Sequence, residues 1–202
     1  MSTPFLVVAT HNKGKFQEFS TLLAPANWRL LSLDDLGIED EPAETGTSFA
    51  ENARIKAVGY SRQTEYPVLA DDSGLEVAAL GGRPGLRSAR YGGPGASDRD
   101  RIHRLLLELA RVPGPRQARF VCALALAKHG ALIMEAEGEC RGEIALDARG
   151  TKGFGYDPVF LFPELGRTYA ELEPGEKNRV SHRARAVAAL LHQLKNLEFF
   201  AT

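Results

Sequence analysis

Hydrophobic and polar positions follow two different periods at the start of this chain. Residues 5–9 form an unbroken apolar run with β-branched members, which predicts a strand buried on both faces. The apolar residues between Phe16 and Leu23 recur at helical spacing, and Asn12 is a suitable N-cap for this helix. Residues 29–33 predict a second strand. The chain therefore opens with a strand, a polar turn, a helix and another strand.

The polar turn at residues 10–15 reads Thr-His-Asn-Lys-Gly-Lys. A turn of this kind presents unpaired backbone N–H groups and the positive end of a helix dipole, which together favour a phosphate group. Lys13 and Lys15 add cationic donors. The glycine and lysine spacing is not that of a P-loop, and a capped helix start without a ligand is the alternative interpretation.

Two adjacent carboxylates, Asp71 and Asp72, stand between short apolar runs at residues 67–70 and 75–79. We therefore predict that the acidic pair lies at a strand end. Two like charges at close range raise one another's pKa and are costly to bury unless a metal or other cations compensate them. Divalent metal binding would meet this requirement. A solvated turn built from Asp, Ser and Gly is the alternative.

A second helix is predicted to begin at Ser48, with Glu51 completing a capping box. Asn52 and Lys56 stand four residues apart on one face of this helix, so they can reach a common ligand. An ordinary solvated face is the alternative. Glu44 precedes a glycine-containing turn and can bring a third carboxylate to the acidic pair.

Two glycine-rich segments carry further candidate side chains. Residues 80–95 combine many Gly and Pro residues with three arginines, and we interpret them as a loop in which Arg90 clamps phosphate, or as a flexible linker. Phe154 lies between two glycines and suits stacking on a flat base, with Tyr156 and Asp157 supplying a hydroxyl and an acceptor. The alternative is a turn that places Phe154 in the core.

The strand pattern resumes in the second half of the chain. Residues 119–127, 131–137 and 138–146 predict three antiparallel strands joined by turns at residues 129–130 and near Gly138. This block is expected to form a second lobe or an oligomer face.

Two more helices are predicted, each after a serine cap. One begins at Ser97 and has a plain core-facing stripe. The other follows Ser181, and Lys177, His182 and Arg183 gather at its start. Basic and hydrogen-bonding groups thus collect at a second helix N-terminus.

Composition narrows the function classes. The chain has 202 residues, is 44% hydrophobic and carries a net charge of −1, so it can bury a full core as one domain or as two lobes that share a sheet. The balanced charge argues against binding to duplex nucleic acid or an anionic membrane. Cys122 and Cys140 are too few for a disulfide scaffold and are expected to be reduced. No targeting signal is evident, so a cytoplasmic location is expected.

Six blocks of sequence, in this order and spacing, resemble the inosine triphosphate pyrophosphatase family, which acts on non-standard purine nucleotides. These blocks are residues 10–15, residues 44–57 (Glu-Thr-Gly and Phe-Ala-Glu-Asn-Ala with Lys-Ala), residues 70–74 (Ala-Asp-Asp-Ser-Gly), residues 84–91 (Pro-Gly and Ser-Ala-Arg-Tyr), residues 153–158 (Gly-Phe-Gly-Tyr-Asp-Pro), and Lys177 with residues 181–183 (Ser-His-Arg). The resemblance runs almost from end to end. His11, Arg87 and Lys152 occupy positions that vary in the family.

The resemblance implies an α/β fold with an elongated central mixed β-sheet flanked by helices, forming one domain over residues 1–202 with two lobes around a nucleotide-binding cleft. It also implies Mg2+-dependent hydrolysis of ITP, dITP and XTP to the monophosphate and pyrophosphate, which cleanses the nucleotide pool. The implied protein is a cytoplasmic homodimer with no nucleic-acid or membrane partner. Two alternatives are a nucleotide-binding module without turnover, and a related pyrophosphatase for modified pyrimidine or methylated nucleotides.

Site roles follow from the resemblance together with the residues. Glu44 and Asp72, with Asp71, are expected to hold Mg2+, and Asp72 is expected to be the base that activates water. Lys177, His182 and Arg183 are expected to donate to a 6-keto oxygen, which adenine lacks. The complete set of predicted substrate contacts is Thr10, His11, Asn12, Lys13, Gly14, Lys15, Asn52, Lys56, Ser73, Arg90, Phe154, Gly155, Tyr156, Asp157, Lys177, His182 and Arg183.

Overall fold

The computed structural model describes residues 3–196 of the chain. Its strands are β1 (Phe5–Ala9), β2 (Arg29–Ser32), β3 (Val68–Val77), β4 (Gln117–Lys128), β5 (Ala131–Ile144), β6 (Phe160–Phe162) and β7 (Arg167–Thr168). Its α-helices are α1 (Lys13–Leu23), α2 (Phe49–Tyr60), α3 (Asp98–Leu109), α4 (Pro174–Val180) and α5 (His182–Asn196). Short 3-10 turns fill several of the connections.

The strands form one mixed sheet in the order β2-β1-β3-β4-β5-β6-β7. Strand β1 pairs in parallel with both β2 and β3, whereas β6 pairs antiparallel with both β5 and β7. A mixed sheet accompanied by helices confirms the predicted α/β class. None of the helices within residues 3–196 combines the length and apolar character needed to span a bilayer.

The chain divides into two compact units, each with its own apolar core. Unit 1 comprises Met1–Asp72, Cys122–Gly138 and His182–Thr202, and unit 2 comprises Ser73–Val121 and Glu139–Ser181. Strand β1 and helices α1 and α5 supply much of the unit 1 core, while α3, β6 and the 3-10 turn at Tyr169–Glu171 supply much of the unit 2 core. The assignment of the chain as a single domain with a cleft between lobes stays a prediction.

Local sequence signals account for several element ends. The Asn12 side chain accepts a hydrogen bond from the Lys15 N–H and so caps α1, as predicted. Ser97 and Asp100 form a reciprocal capping box on α3. His129 and Gly130, which join β4 to β5, have φ angles of 52° and 77°, the left-handed pair that a tight hairpin turn needs.

The acidic pair does not lie at a strand end. Asp71 and Asp72 are in the middle of β3, which runs unbroken through Val68–Val77. The prediction of a strand end was wrong because Asp, Ser and Gly usually mark turns. Within the strand each carboxylate is compensated by its own lysine: Lys15 of α1 contacts Asp71, and Lys56 of α2 contacts Asp72.

The prediction of three strands between residues 119 and 146 was also wrong. The region forms two strands, and Gly138 lies within β5 rather than in a turn. A Cβ at Gly138 would collide with the backbone of His182 and Ala186 on α5. Glycine is therefore needed at this position for the close approach of a helix, which a local sequence pattern does not distinguish from a turn.

Two short helices lie in segments for which the sequence predicted no helix. The loop at residues 80–95 includes a 3-10 helix at Gly85–Arg90, so it is more ordered than its Gly and Pro content indicates. Lys177 precedes the last helix, as predicted, and belongs to a separate short helix, α4, which ends just before Ser181. Helix α5 then begins at His182, as predicted.

Candidate active site

The centre of the charged group in unit 1 is the ammonium of Lys56. Its Nζ lies 2.8 Å from an Oε1 of Glu44 and 3.5 Å from Oδ1 of Asp72. All three side chains are largely shielded from water, with exposed fractions of 9% for Lys56, 19% for Glu44 and 15% for Asp72. Two carboxylates from segments far apart in sequence therefore share one cation.

Asn52 fixes the two segments that carry these carboxylates. Its amide nitrogen donates to Oδ2 of Asp72 at 3.1 Å, and its amide oxygen accepts the Gly46 N–H at 2.8 Å. A Cβ at Gly46 would lie 2.7 Å from that same oxygen, so glycine is required here. Asn52 is buried and not on a solvated face, and it shares Asp72 with Lys56 as their spacing on α2 predicts.

Asp71 is bound by a different pair of cations. Lys15 Nζ donates to its Oδ2 at 2.9 Å, and Arg183 Nη2 lies 3.7 Å from the same oxygen. Arg183 also forms an ion pair with Glu18 and lies over the Phe19 ring. Only 1% of the Asp71 side chain is exposed, so this carboxylate is an internal anchor for Lys15.

Burial and charge act in opposite directions on the ionisable groups of this cluster. Burial raises the pKa of Asp72, and although Lys56 and Asn52 work against it, the pKa lies above the ordinary value. Burial works to lower the pKa of Lys56, but the three neighbouring carboxylates outweigh it and raise that pKa. A carboxylate with a raised pKa is the better proton acceptor, and a lysine with a raised pKa remains a cation.

The turn at residues 10–15 divides its side chains between two surroundings. Lys15 faces Asp71, whereas Thr10, His11 and Lys13 line a surface groove with Asp34 and other residues of unit 1. The Nδ1 of His11 is 3.5 Å from an oxygen of Asp34, and both side chains are well exposed. The Thr10 hydroxyl accepts the Asn12 N–H, so these two side chains shape the turn itself.

In unit 2, Asp157 and Lys177 surround Phe154, the residue predicted to stack on a base. Lys177 Nζ donates to Asp157 Oδ2 at 2.5 Å and lies 4.9 Å from the centre of the Phe154 ring. The same Asp157 oxygen accepts the Phe154 N–H at 3.0 Å. Gly153 has a φ of 76°, and a Cβ there would collide with the Asp157 carboxylate. Phe154 is partly exposed and not part of the buried core.

The other predicted contacts in unit 2 have mixed surroundings. The Tyr156 hydroxyl is buried and donates to the Ser88 carbonyl at 3.0 Å, and burial raises the pKa of this phenol. The Gly155 N–H donates to Asp98 Oδ2 at 2.7 Å. Arg90 is exposed at the end of the 3-10 helix, and Ser73 is partly buried in β3.

Many of the predicted residues fall into two groups, one in each unit. The structure brings Glu44, Asp71 and Asp72 together with Lys15, Lys56, Asn52 and Arg183, and it separately brings Phe154 together with Gly155, Asp157 and Lys177. His182 is buried at the start of α5 in unit 1. The role of His182 and Arg183 as donors to a 6-keto oxygen stays a prediction.

Two functional candidates escaped the sequence patterns. Glu18 lies one helical turn after Lys15 on α1, and this i, i+3 spacing is the signal that places both side chains on one face. Asp98 contacts Gly155 across 57 positions of sequence, and no local pattern connects the two.

The carboxylates of unit 1 are the candidate ligands for a metal ion. Within residues 3–196, no group of three or more His, Cys, Asp or Glu side chains is arranged to hold a metal ion by itself. Glu44 and Asp72 nevertheless direct oxygens at one cation, the Lys56 ammonium. Mg2+ is commonly bound by one or two carboxylates together with substrate phosphates, so a pair of carboxylates suits a metal that arrives with a nucleotide.

Comparison with known proteins gives a consistent result. The model of the Ham1 family matches residues 6–193. A dITP/XTP pyrophosphatase of Geobacillus kaustophilus is 51% identical over 193 residues, covering 95% of each chain, and a dITP/XTP pyrophosphatase of Gloeobacter violaceus is 52% identical over 188 residues, covering 93% of this chain and 92% of its own.

Solved structures agree with these matches. A HAM1 protein from Coxiella burnetii superposes with a TM-score of 0.87 at 40% identity, covering 96% of this chain and all of its own. The Staphylococcus aureus Ham1 protein gives a TM-score of 0.83 at 36% identity, covering 95% and 98%. The resemblance inferred from six sequence blocks is confirmed, and this chain belongs to the Ham1 family.

Proposed function

We propose that this protein hydrolyses the non-standard purine nucleoside triphosphates ITP, dITP and XTP to the nucleoside monophosphate and pyrophosphate, with Mg2+ as cofactor. The observation that carries the proposal is the interleaving of three carboxylates with Lys15 and Lys56 in unit 1. The activity printed for relatives about half identical over nearly the whole chain supports it.

Glu44 and Asp72 are the residues that would hold Mg2+. Their oxygens already converge on a cation, and carboxylate oxygen is the ligand that this hard ion prefers. When bound with the nucleotide, Mg2+ would neutralise charge on the pyrophosphate leaving group. Asp71 is less suited to this role because its carboxylate is buried against Lys15 and Arg183.

Asp72 acts as the general base in the proposed reaction. It removes a proton from a water molecule whose oxygen forms a bond to the α-phosphorus. The bond between the α-phosphorus and the oxygen bridging to the β-phosphorus breaks, and its electron pair leaves with pyrophosphate. The partial exposure of Asp72 leaves room for the water molecule, and the raised pKa of its carboxyl group favours proton transfer.

The cations of unit 1 bind the triphosphate. Lys15 is held by Asp71, and Lys56 is held by Glu44, so both ammonium groups are fixed before substrate arrives. The N–H groups at the start of α1 add donors for phosphate oxygens. Binding energy at this end is the same for every base and gives no selectivity among them.

Selectivity comes from the aromatic group of unit 2. Phe154 stacks on the purine, and Lys177 donates to the 6-keto oxygen while Asp157 holds its ammonium. Adenine presents a 6-amino donor instead, which leaves buried donors unmatched and can give about 100-fold discrimination. Rejection of guanine requires a further contact at the 2-amino group.

A substrate panel tests the proposal. Pyrophosphate release is measured with Mg2+ for ITP, dITP, XTP, GTP, ATP and the pyrimidine triphosphates, and the same reactions are run with EDTA. The expected result is a kcat/KM for ITP, dITP and XTP at least about 100-fold above that for ATP, lost with EDTA. Binding of ITP without pyrophosphate release would indicate a binding module. Preference for modified pyrimidine or methylated nucleotides would indicate the related pyrophosphatase.

Assembly and location follow the same inference. A homodimer in the cytoplasm, without nucleic-acid or membrane partners, is what the resemblance implies. Light scattering of the purified chain checks the mass, which is twice 22.0 kDa for a dimer.

A further inference from the structure

The segment that carries Phe154 is built from residues that do not fix its shape by themselves. Gly153 and Gly155 both have positive φ angles, 76° and 61°, and glycine is the residue with the most backbone freedom in an unfolded or loosely held chain. A ring between two such residues stacks reproducibly only if its backbone is held by other groups. Hydrogen bonds to the N–H groups of this segment are therefore decisive for its function.

Two carboxylates hold successive N–H groups of the segment. Asp157 accepts the N–H of Phe154 at 3.0 Å, which is a contact within the same turn. Asp98 Oδ2 accepts the N–H of Gly155 at 2.7 Å, and Asp98 is the first residue of α3. The second contact joins the segment directly to the start of helix α3. The first lies within the turn, and it reaches helix α4 only through Lys177, which donates to the same Asp157 oxygen.

Asp98 is itself held in place. Its other oxygen accepts a hydrogen bond from Arg101 Nη1 at 2.5 Å, and Arg101 Nη2 donates to the Ala96 carbonyl at 2.8 Å. The capping box of Ser97 and Asp100 fixes the helix start. The carboxylate therefore presents Oδ2 to Gly155 from a defined position, even though 45% of its side chain is exposed.

We propose that Asp98 is a positioning residue for base recognition, which acts by holding the Gly155 N–H and so fixing the orientation of the Phe154 ring. This inference rests on the proposed function for the role of Phe154. It assigns Asp98 no contact with the phosphates or the metal. Its loss should therefore weaken substrate binding through the base and leave the chemical step almost unchanged.

Three variants separate this role from a general effect on stability. Asp98→Ala removes the acceptor, Asp98→Asn retains an oxygen that can accept the Gly155 N–H, and Asp100→Ala removes the capping box from the same helix without touching the segment. We expect Asp98→Ala to raise the KM for ITP about fivefold to tenfold, because ring positioning is lost, while kcat changes less than about twofold. Asp98→Asn should recover most of the affinity, and Asp100→Ala should lower Tm with the KM unchanged.

Amide hydrogen exchange measured by NMR provides a readout that does not require turnover. The Gly155 amide should exchange at least about tenfold faster in Asp98→Ala than in the parent and in Asp100→Ala, because its acceptor is lost. An unchanged KM or unchanged Gly155 exchange in Asp98→Ala would overturn the proposal, as would an equal rise in KM in Asp100→Ala. If the parent protein releases no pyrophosphate from ITP, the proposed function fails, and the exchange rates still decide whether Asp98 holds the segment.

Discussion

The two functional groups of this protein are built on different kinds of backbone. In unit 1 most of the charged side chains project from helices α1 and α2 and from strand β3, and they contact one another as ion pairs. Glu44 comes from an irregular segment, which Asn52 of α2 holds through the Gly46 N–H. In unit 2 Phe154, the proposed stacking residue, belongs to an irregular glycine-containing segment, and carboxylates hold the backbone N–H groups of that segment. The first group is fixed mainly by regular structure, and the second mainly by individual hydrogen bonds.

This difference matches the tasks we assign to each group. Charge development during phosphoryl transfer requires donors and acceptors whose positions do not relax, and rigid elements provide them. Glycines beside Phe154 allow the backbone to approach a flat base closely while the ring stacks on it. Substitutions in unit 1 should therefore change kcat and stability, whereas substitutions around Phe154 should mainly change KM.

The largest effect is expected for Asp72→Asn. The amide has nearly the same shape but cannot accept the proton of the attacking water, so kcat for ITP should fall about 10³-fold. Asp40→Asn, an exposed carboxylate in the same unit, is the matched control and should have the parent kcat. Stopped or coupled assays of pyrophosphate release measure both, and a kcat for Asp72→Asn close to that of Asp40→Asn would remove Asp72 from the mechanism.

The next effect is expected for Lys56→Met. Glu44 and Asp72 then lose the cation they share, and an uncompensated pair of shielded carboxylates should lower the free energy of unfolding by about 3 kcal/mol. Because a metal can replace the missing charge, Mg2+ should raise Tm more in the variant than in the parent. Thermal unfolding with Mg2+ and with EDTA measures this, and an equal response in both proteins would argue against a metal at these carboxylates.

A smaller effect is expected for Phe154→Ala. Loss of base stacking should raise the KM for ITP about tenfold with little change in kcat, while Phe154→Trp should preserve affinity. Leu146→Ala is a suitable control in unit 2, because that side chain is 75% exposed and lies outside the group. Initial-rate kinetics over a range of ITP concentrations give the answer. A fall in kcat with constant KM would place Phe154 with the charged group instead.

The smallest effect is expected for Arg54→Ala. Its bidentate ion pair with Glu135 is in unit 1 and does not include the carboxylates proposed to be catalytic, and the arginine side chain is 49% exposed. Solvent screening makes the contribution of such an exposed pair to stability small. Urea unfolding should show only this change, and the kinetic constants should be those of the parent. A large loss of activity would mean that the charged group extends further than the contacts indicate.

The sequence predicted the regular elements best where the signal was local. The buried run of β1, the Asn12 cap and the spacing of Asn52 and Lys56 all depend on residues close in sequence, and the structure agrees with each. The prediction of a turn at Gly138 was wrong because glycine is needed there for the close approach of α5, a helix far along the chain. Local sequence patterns cannot distinguish a glycine in a turn from a glycine that allows another element to pack closely against the backbone.

The candidate site shows the same limit. Composition identified Asp71 and Asp72 as a pair that needs cations, but not that Lys15 and Arg183 take one carboxylate while Lys56 takes the other. That division depends on which helix faces each side of β3. Asp98 was missed because its partner is a backbone N–H group, and every residue except proline has one, so the residue types do not reveal the contact.

In the proposed reaction, the carboxylates of unit 1 direct water at the α-phosphorus of a purine triphosphate. Hydrolysis of ITP by the parent protein in water enriched in oxygen-18, followed by mass spectrometry of both products, tests it most directly. We expect the label in inosine monophosphate and none in pyrophosphate. Label in pyrophosphate, or release of inorganic phosphate instead, would contradict the account.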